Sequence, residues 1–257
     1  MFADLAFFSF VELTDPTVHR AYNEWHQLDH RPENLALPGV AWGDRWARRD
    51  GLKDHGSASA EFAGVDYVAM YWFRQPVDES VRAWTRLGED SFQWGRGPII
   101  PGVSRPFLGF FRPVAGHAAP RIGVGAEVLP FRPNRGIHFT MSRYADHHGL
   151  AAHERFRWED RELIPELLRL DGVAGAWTFS FAFPQQHSSL PLAGDDTIVP
   201  QSLRIRLAYL DGDPLEASSE IARTTQQLDA AADPEASTAE EVLMSGPLTT
   251  INPWQDW

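Results

Sequence analysis

From Leu5 to Leu13 the chain reads LAFFSFVEL, a run in which Ser9 and Glu12 are the only polar residues. Such a run predicts a strand at about residues 4–12. Similar runs predict strands at about 40–48, 65–73 and 105–112, and again at about 136–144, 173–183, 202–210 and 246–251. Between them, amphipathic stretches predict helices at about 16–37, 78–93, 149–170 and 214–231. In the first helix Val18, Ala21, Trp25 and Leu28 recur at helical spacing and predict its buried stripe. Asp15-Pro16 has the form of an N-cap followed by proline in the first turn. Pro32 lacks an amide and restricts its predecessor, which predicts a break or kink near Arg31; Pro165 predicts the same in the third helix. The stretch Ile122–Phe131 is a candidate for one additional strand.

The element order repeats, and so do residues. At an offset of 133, Trp25 meets Trp158, Pro32-Glu33 meets Pro165-Glu166, Leu35 and Leu37 meet Leu168 and Leu170, and Gly39-Val40 meets Gly172-Val173. Ser9 meets Ser142 at the same offset, while Pro76 and Pro214 match at 138. The five extra residues are expected in the polar loop 51–64 and its counterpart at about 184–200. Each half therefore reads β-α-β-β-α-β, the ferredoxin-like unit of the α+β class. The expected units are residues 1–115 and 136–257, joined by a linker at 116–135. Such a unit has helices on one sheet face only. Two fused copies cover each other's bare faces and close into one intramolecular barrel.

Composition narrows the function. Apolar residues make up 43% of the chain, and 10 Trp and 16 Phe provide both a core and material for a flat-walled apolar pocket. A net charge of −12 disfavours nucleic acid and anionic membranes as partners. No apolar run reaches the ~18 residues of a membrane span, and the apolar N-terminus lacks the features of a signal peptide. With no cysteine there is no thiol nucleophile, disulfide or thiolate metal site, which fits the cytoplasm. The fused pair is expected as a monomer or homodimer.

The segment Tyr22–Val40, with Trp25, then His30-Arg31-Pro32, Leu35, and Pro38-Gly39 before a strand, resembles the EthD-like branch of the dimeric α/β-barrel superfamily. The second half keeps Trp158, Pro165 and Gly172 but has Leu163 in place of His30 and Asp171 in place of Pro38. The resemblance implies an intramolecular version of the dimeric α/β barrel. It also implies a range of activities, from cofactor-free cyclases and muconolactone-type isomerases to small monooxygenases and haem proteins, with some members of no known activity.

His30 is the first candidate for chemistry. Its counterpart Leu163 implies an apolar setting, which keeps an imidazole neutral and able to accept a proton. Asp29 or Glu33 could orient it. His26 lies four residues earlier, a spacing compatible with a metal, although a surface histidine is the simpler reading. Trp42, Asp44 and Trp46 alternate along a strand, with Asp44 a possible carboxylate partner for a histidine between two ring walls. The simpler reading pairs Asp44 with Arg45 or Arg48 near the surface. His138, Thr140 and Ser142 form a polar row continued by Tyr144, opposite Phe139 and Met141. Tyr71 and Arg143 complete the candidates. His55, His117, His147, His148 and His187 receive no role, and the acidic stretch Asp229–Glu241 reads as solvated. No phosphate-binding or nucleophile-elbow motif is present. The expected activity is a cofactor-independent isomerase, cyclase or lyase acting on a hydrophobic aromatic or polyketide-like molecule. His30 is its acid/base, Asp29 and Asp44 assist, and Trp25, His26, Trp42, Trp46, Tyr71, His138, Thr140, Ser142 and Arg143 contact the substrate. No metal or cofactor is expected. The alternatives are a haem oxidoreductase using His138 or His30, and a non-catalytic binding protein.

Overall fold

Side chains of the first strand go to two destinations. In β1 (Leu5–Leu13), Ala6, Phe8 and Phe10 join one buried cluster, while Leu5 and Phe7 join another. This is the period-two pattern of a strand buried on both faces, which is why the run is almost continuously apolar. The computed structural model describes residues 2–48, 51–97, 99–187, 190–192, 194–232 and 234–251. In the first half, β1 lies between β4 (Tyr67–Phe73) and β5 (Val103–Ala118), and β2 (Val40–Ala47) lies outside β4, all antiparallel. In the second half, β6 (Gly136–Arg143) lies between β8 (Leu203–Leu210) and β9 (Glu241–Thr250), with β7 (Val173–Pro184) outside β8. The two halves therefore share one strand order. β5 pairs with β7 and β9 with β2, closing the ring, while the short β3 (Ser57–Ala58) adds to β9.

The two closures differ. β5–β7 pairing runs from Gly109 opposite Pro184 to Ala118 opposite Gly175. Between β2 and β9, the described pairs are only Trp46 with Thr250 and Ala47 with Thr249. Beyond them Arg31 reaches round the strand edge, its Nε donating to the Gly43 carbonyl at 2.9 Å.

Aromatic rings fill the barrel interior. Phe8 meets Phe111 and Phe179 edge-on at 5.3 and 5.2 Å, Phe10 meets Phe139 at 5.4 Å, and Trp72 meets Trp177 at 5.3 Å. A ring of this size has an interior just wide enough for side chains to fill, and edge-to-face geometry suits the ring quadrupoles.

The helices cover the outside. The first half carries α1 (His19–Trp25), α2 (Arg31–Leu35) and α3 (Val77–Gln93); the second carries α4 (Leu150–Trp158), α5 (Ile164–Leu167), α6 (Pro214–Asp229) and the short α7 (Pro234–Thr238). Asp15 caps the entry as expected, accepting from the Thr17 amide at 2.9 Å. At Pro32 the chain does not break. A π turn at His26–His30 joins α1 to α2, with the Arg31 amide bonding the His26 carbonyl. The second half repeats this residue for residue, with a π turn at Glu159–Leu163 and the Ile164 amide on the Glu159 carbonyl. The wider turn carries each helix past a proline that has no amide to give.

Five expectations change. Ile122–Phe131 forms no strand: it lies in short 3-10 turns that cap the barrel, where Phe131 packs on Phe2 and Trp42, because β5 already occupies the edge of β7. The buried face of the first helix is Tyr22, Asn23 and His26, whereas Leu28 is 54% exposed. Ser9 does not correspond to Ser142. Both β2–β4 and β7–β8 begin with a bulge after the pairs Val40–Phe73 and Val173–Leu210. That register matches Ser9, opposite Ala69, to Thr140, opposite Arg206. The offset is then 133 at Val173 and 137 at Leu210, so four of the five extra residues lie between β7 and β8 and the fifth before Pro214. Finally, the acidic stretch is not all solvated: Glu240 is buried against Arg155.

Replacing Trp72 with Ala should remove about 3–5 kcal/mol of stability by creating a cavity in the barrel, whereas Leu28→Ala should stay within about 0.5 kcal/mol. Urea denaturation measures both.

Candidate functional site

With the barrel interior filled by rings, the open space lies outside it, between the first-half sheet and its helices. This cavity encloses about 650 Å³, counting the solvent at its mouth. Phe7, Ser9, Ala69, Tyr71, Arg105 and Leu108 form its floor on β1, β4 and β5. Tyr22, Trp25, His26, His30, Glu33 and Asn34 form one wall, and Trp84, Leu87 and Gly88 of α3 form another. Gln185, His187, Leu190 and Leu192, from the segment after β7, come over from the second half.

The π turn sets the histidines. His30 stacks on Trp25 with ring centres 4.4 Å apart, and His26 and Tyr71 stand edge-on to it at 5.4 and 6.3 Å. The Nδ1 edge of His30 lies 3.6 Å from Glu33 Oε1 and 3.3 Å from the side-chain amide nitrogen of Asn34. Glu33 also accepts from Ser91 Oγ at 3.2 Å and is paired with Arg96. Burial pulls His30 below its ordinary pKa, although the Glu33 hydrogen bond pulls the other way. His26 is 3% exposed, so it is no surface residue, and its Nδ1 has no hydrogen-bond partner among the described residues. Burial, then Arg45 and His30, hold His26 well below its ordinary value. Glu33 is pulled upward by burial, but the His30 hydrogen bond and the His30 and Arg96 charges more than offset this and lower its pKa. The site therefore combines neutral imidazoles with an ionised carboxylate behind one of them.

Of the candidates read from the sequence, Trp25, His26, His30 and Tyr71 line this cavity together. Asp29 does not face His30; it pairs with Arg96 at 3.2 Å, and Glu33 takes the place beside the ring. Asp44 pairs with neither a histidine nor Arg45 or Arg48. It accepts from Trp42 Nε1 at 3.0 Å and meets Arg31 at 3.4 Å, and burial lifts its pKa to about 6. Trp42 packs on Phe131, and Trp46 lies in the barrel core, donating to Asn134 at 3.3 Å. The alternation along β2 was read correctly, but its polar row faces the barrel and not the helices. Arg143 lies near the surface, paired with Glu241 at 3.4 Å.

His138, Thr140 and Ser142 lie in the second half, where the matching space is filled. Glu159 replaces His26 and Arg206 replaces Ala69. Arg206 bonds Glu159 at 2.6 Å and Thr140 at 3.4 Å, and Arg204 meets Glu159 at 3.3 Å. Ser142 donates to Glu240 at 2.5 Å, and Glu240 pairs with Arg155 at 2.6 Å. His138 Nε2 bonds Ser245 at 3.2 Å. Burial, reinforced by Arg206, depresses His138 to about 3.

Sequence reading missed Arg105, Trp84 and His187 as cavity residues. Arg105 and Trp84 carry no motif that marks them, and His187 lies outside the expected strands and helices. His117 was also placed in a loop and lies on β5.

Among the described residues, no group of three or more His, Cys, Asp or Glu is placed to hold a metal ion. The haem called for by some relatives of this architecture does not fit the two histidines suggested for it. His138 is bonded to Ser245 beside the Arg206–Glu159 pair that fills its surroundings. Around His30, Trp25, His26 and Tyr71 stand at spacings that an intervening macrocycle would have to break. No described helix is long and apolar enough to cross a membrane.

No protein-family model matches the sequence, and no curated protein does. Solved structures do match over nearly the whole chain. An anthrone oxidase-like protein aligns with 97% of this chain and 92% of its own, at 10% identity and a TM-score of 0.56. A protein from Fusobacterium nucleatum, provisionally described as a monooxygenase, aligns over 98% and 94% at 6% identity and a TM-score of 0.54. One provisionally described as a chlorite dismutase aligns over 96% of each chain at 13% identity and a TM-score of 0.50. At such identities the likeness is one of fold: the chain has the dimeric α/β-barrel architecture, with both barrel halves in one polypeptide.

His138 should stay neutral between pH 7 and 5 in an NMR titration; a midpoint near 6.5 would mean that water reaches the ring. An unfolded chain takes up a proton near pH 6.5 that this buried ring refuses. Its contribution to stability is therefore full above about pH 6.5 and lost as the pH falls toward 3. Glu159→Ala should cost about 3–5 kcal/mol in a denaturant melt, because it removes the carboxylate that Arg204 and Arg206 contact directly in a buried site. Removing the exposed Arg20–Glu24 pair should cost under about 1 kcal/mol.

Proposed function

We propose that the first-half cavity binds a hydrophobic, aromatic or polyketide-like small molecule and that His30 moves a proton on it, as the acid/base of a cofactor-independent isomerisation, cyclisation or elimination. The observation that carries this reading is the setting of His30: a neutral imidazole on a cavity wall, with the Glu33 carboxylate at its Nδ1 edge. In the tautomer with its proton on Nδ1, directed at Glu33 and not at the Asn34 amide 3.3 Å away, the Nε2 lone pair is the base. Nε2 takes a proton from a carbon next to a carbonyl, and the electron pair moves to the carbonyl oxygen. Returning the proton at another carbon isomerises the molecule; attack on a second carbonyl closes a ring; expelling a leaving group completes an elimination. Glu33, held ionised by Arg96 and Ser91, stabilises the imidazolium formed in between.

Trp25, Tyr22, Phe7 and Trp84 offer aromatic walls to a flat substrate. The likeness of Tyr22–Val40 to the EthD-like branch supports the same site, since that segment forms the histidine wall. The absence of cysteine supports a cytoplasmic setting.

Anthrone and 2-tetralone are activated carbon acids of suitable shape. Their proton exchange in D₂O, followed by NMR, should be accelerated by the protein. His30→Ala should lower the rate roughly 10²–10⁴-fold while leaving circular dichroism unchanged. Equal rates for His30→Ala and the parent, or no acceleration by the parent, would remove the acid/base role and leave a binding protein.

A further inference from the structure

The cavity wall carries polar atoms that the protein itself does not satisfy. Tyr71 Oη, Trp84 Nε1 and His26 Nδ1 have no hydrogen-bond partner among the described residues, and their residues are 2%, 7% and 3% exposed. A buried polar group left unpaired costs about 1–3 kcal/mol, so three around one cavity call for a partner that enters it. Their chemistry restricts that partner. The indole N–H can only donate, and the phenol, whose ionisation burial strongly opposes, keeps its proton to donate. Arg105 stands on the floor with a guanidinium whose charge is felt at both His26 and His30. Glu33, the carboxylate of the wall, is already engaged by Arg96 and Ser91. The wall therefore offers donors and a positive charge, inside a protein whose net charge is −12. An uncharged hydrocarbon would fill the space and leave the donors unpaired.

We propose that the ligand of this cavity is an anion: a flat aromatic or polyketide-type molecule with a carboxylate or ionised enol oxygen that accepts hydrogen bonds from Tyr71 and Trp84 and lies against Arg105. The proposal deepens the functional reading above and rests on its claim that this cavity binds a small molecule. It also gives the enolate formed by proton removal a place to rest, since the same donors face the developing oxygen charge.

Isothermal titration calorimetry with probes of similar ring size tests it: 2-naphthoate for the carboxylate, 2-hydroxy-1,4-naphthoquinone for the ionised enol, and 2-methylnaphthalene as the uncharged reference. At least one anion should bind about tenfold or more tighter than 2-methylnaphthalene, as a charge-assisted hydrogen bond allows, and the tighter of the two identifies the group. Arg105→Met should weaken that anion by about tenfold and change 2-methylnaphthalene by less than about twofold. Tyr71→Phe, which removes only the hydroxyl, should weaken the anion several-fold and keeps the question answerable if Arg105→Met does not fold. Equal affinity for charged and uncharged probes, or equal losses for both in the variants, overturns the anion proposal while leaving a binding cavity. No binding of any probe to the parent protein overturns the cavity reading as well.

Discussion

Each four-stranded sheet has an apolar inner face that its own helices cannot reach, and the partner sheet is what covers it. Phe8, Phe10, Trp72, Phe111, Phe139, Trp177 and Phe179 meet in the space between them. Rings occupy that space, and the cavity lies on an outer face, where helix and sheet meet at a distance set by the side chains between them. Closing the ring also brings the second half to the first, so that Gln185, His187, Leu190 and Leu192 help to enclose a cavity built on β1, β4 and β5.

The halves share a strand order, a bulge position and a π turn, yet their outer spaces differ by a few side chains. Ala69 leaves room above β4, whereas Arg206 at the matching position on β8 fills it and binds Glu159, the counterpart of His26. His30 reaches a cavity, whereas Leu163 is packed in a closed apolar cluster. A buried ion pair of this kind contributes little net stability against a well-packed apolar alternative. Its evident physical effect here is to occupy volume and satisfy itself. The first half thus keeps a cavity, while the matching space in the second half holds the Arg206–Glu159 pair.

The first helix connects these levels. Its buried face carries Tyr22, Asn23 and His26 where an ordinary amphipathic helix would carry aliphatic residues. The π turn widens the helix at His26–His30 and places the His30 ring against Trp25, with Glu33 one turn on. A helix that faces a cavity need not be apolar on that side. Of the stripe Val18, Ala21, Trp25 and Leu28, Val18 and Trp25 pack against the core while Ala21 and Leu28 are exposed.

Periodicity marked the strands and the main helices, because alternation and helical spacing report local backbone geometry directly, and identities at a fixed offset marked the duplication and hence the two-sheet barrel. The substitution of His30 by Leu163 between the copies likewise marked one residue of the site. Local pattern does not record what stands opposite a side chain. It therefore could not tell that Asp44 would turn to Trp42 and Arg31, that Glu33 and not Asp29 would face His30, or that Ile122–Phe131 would find no strand edge left to join. Arg105, Trp84 and His187 meet around one cavity only because the chain closes on itself, bringing together residues far apart in sequence. That closure, and the difference in volume between Ala69 and Arg206, decided where the protein has room to act.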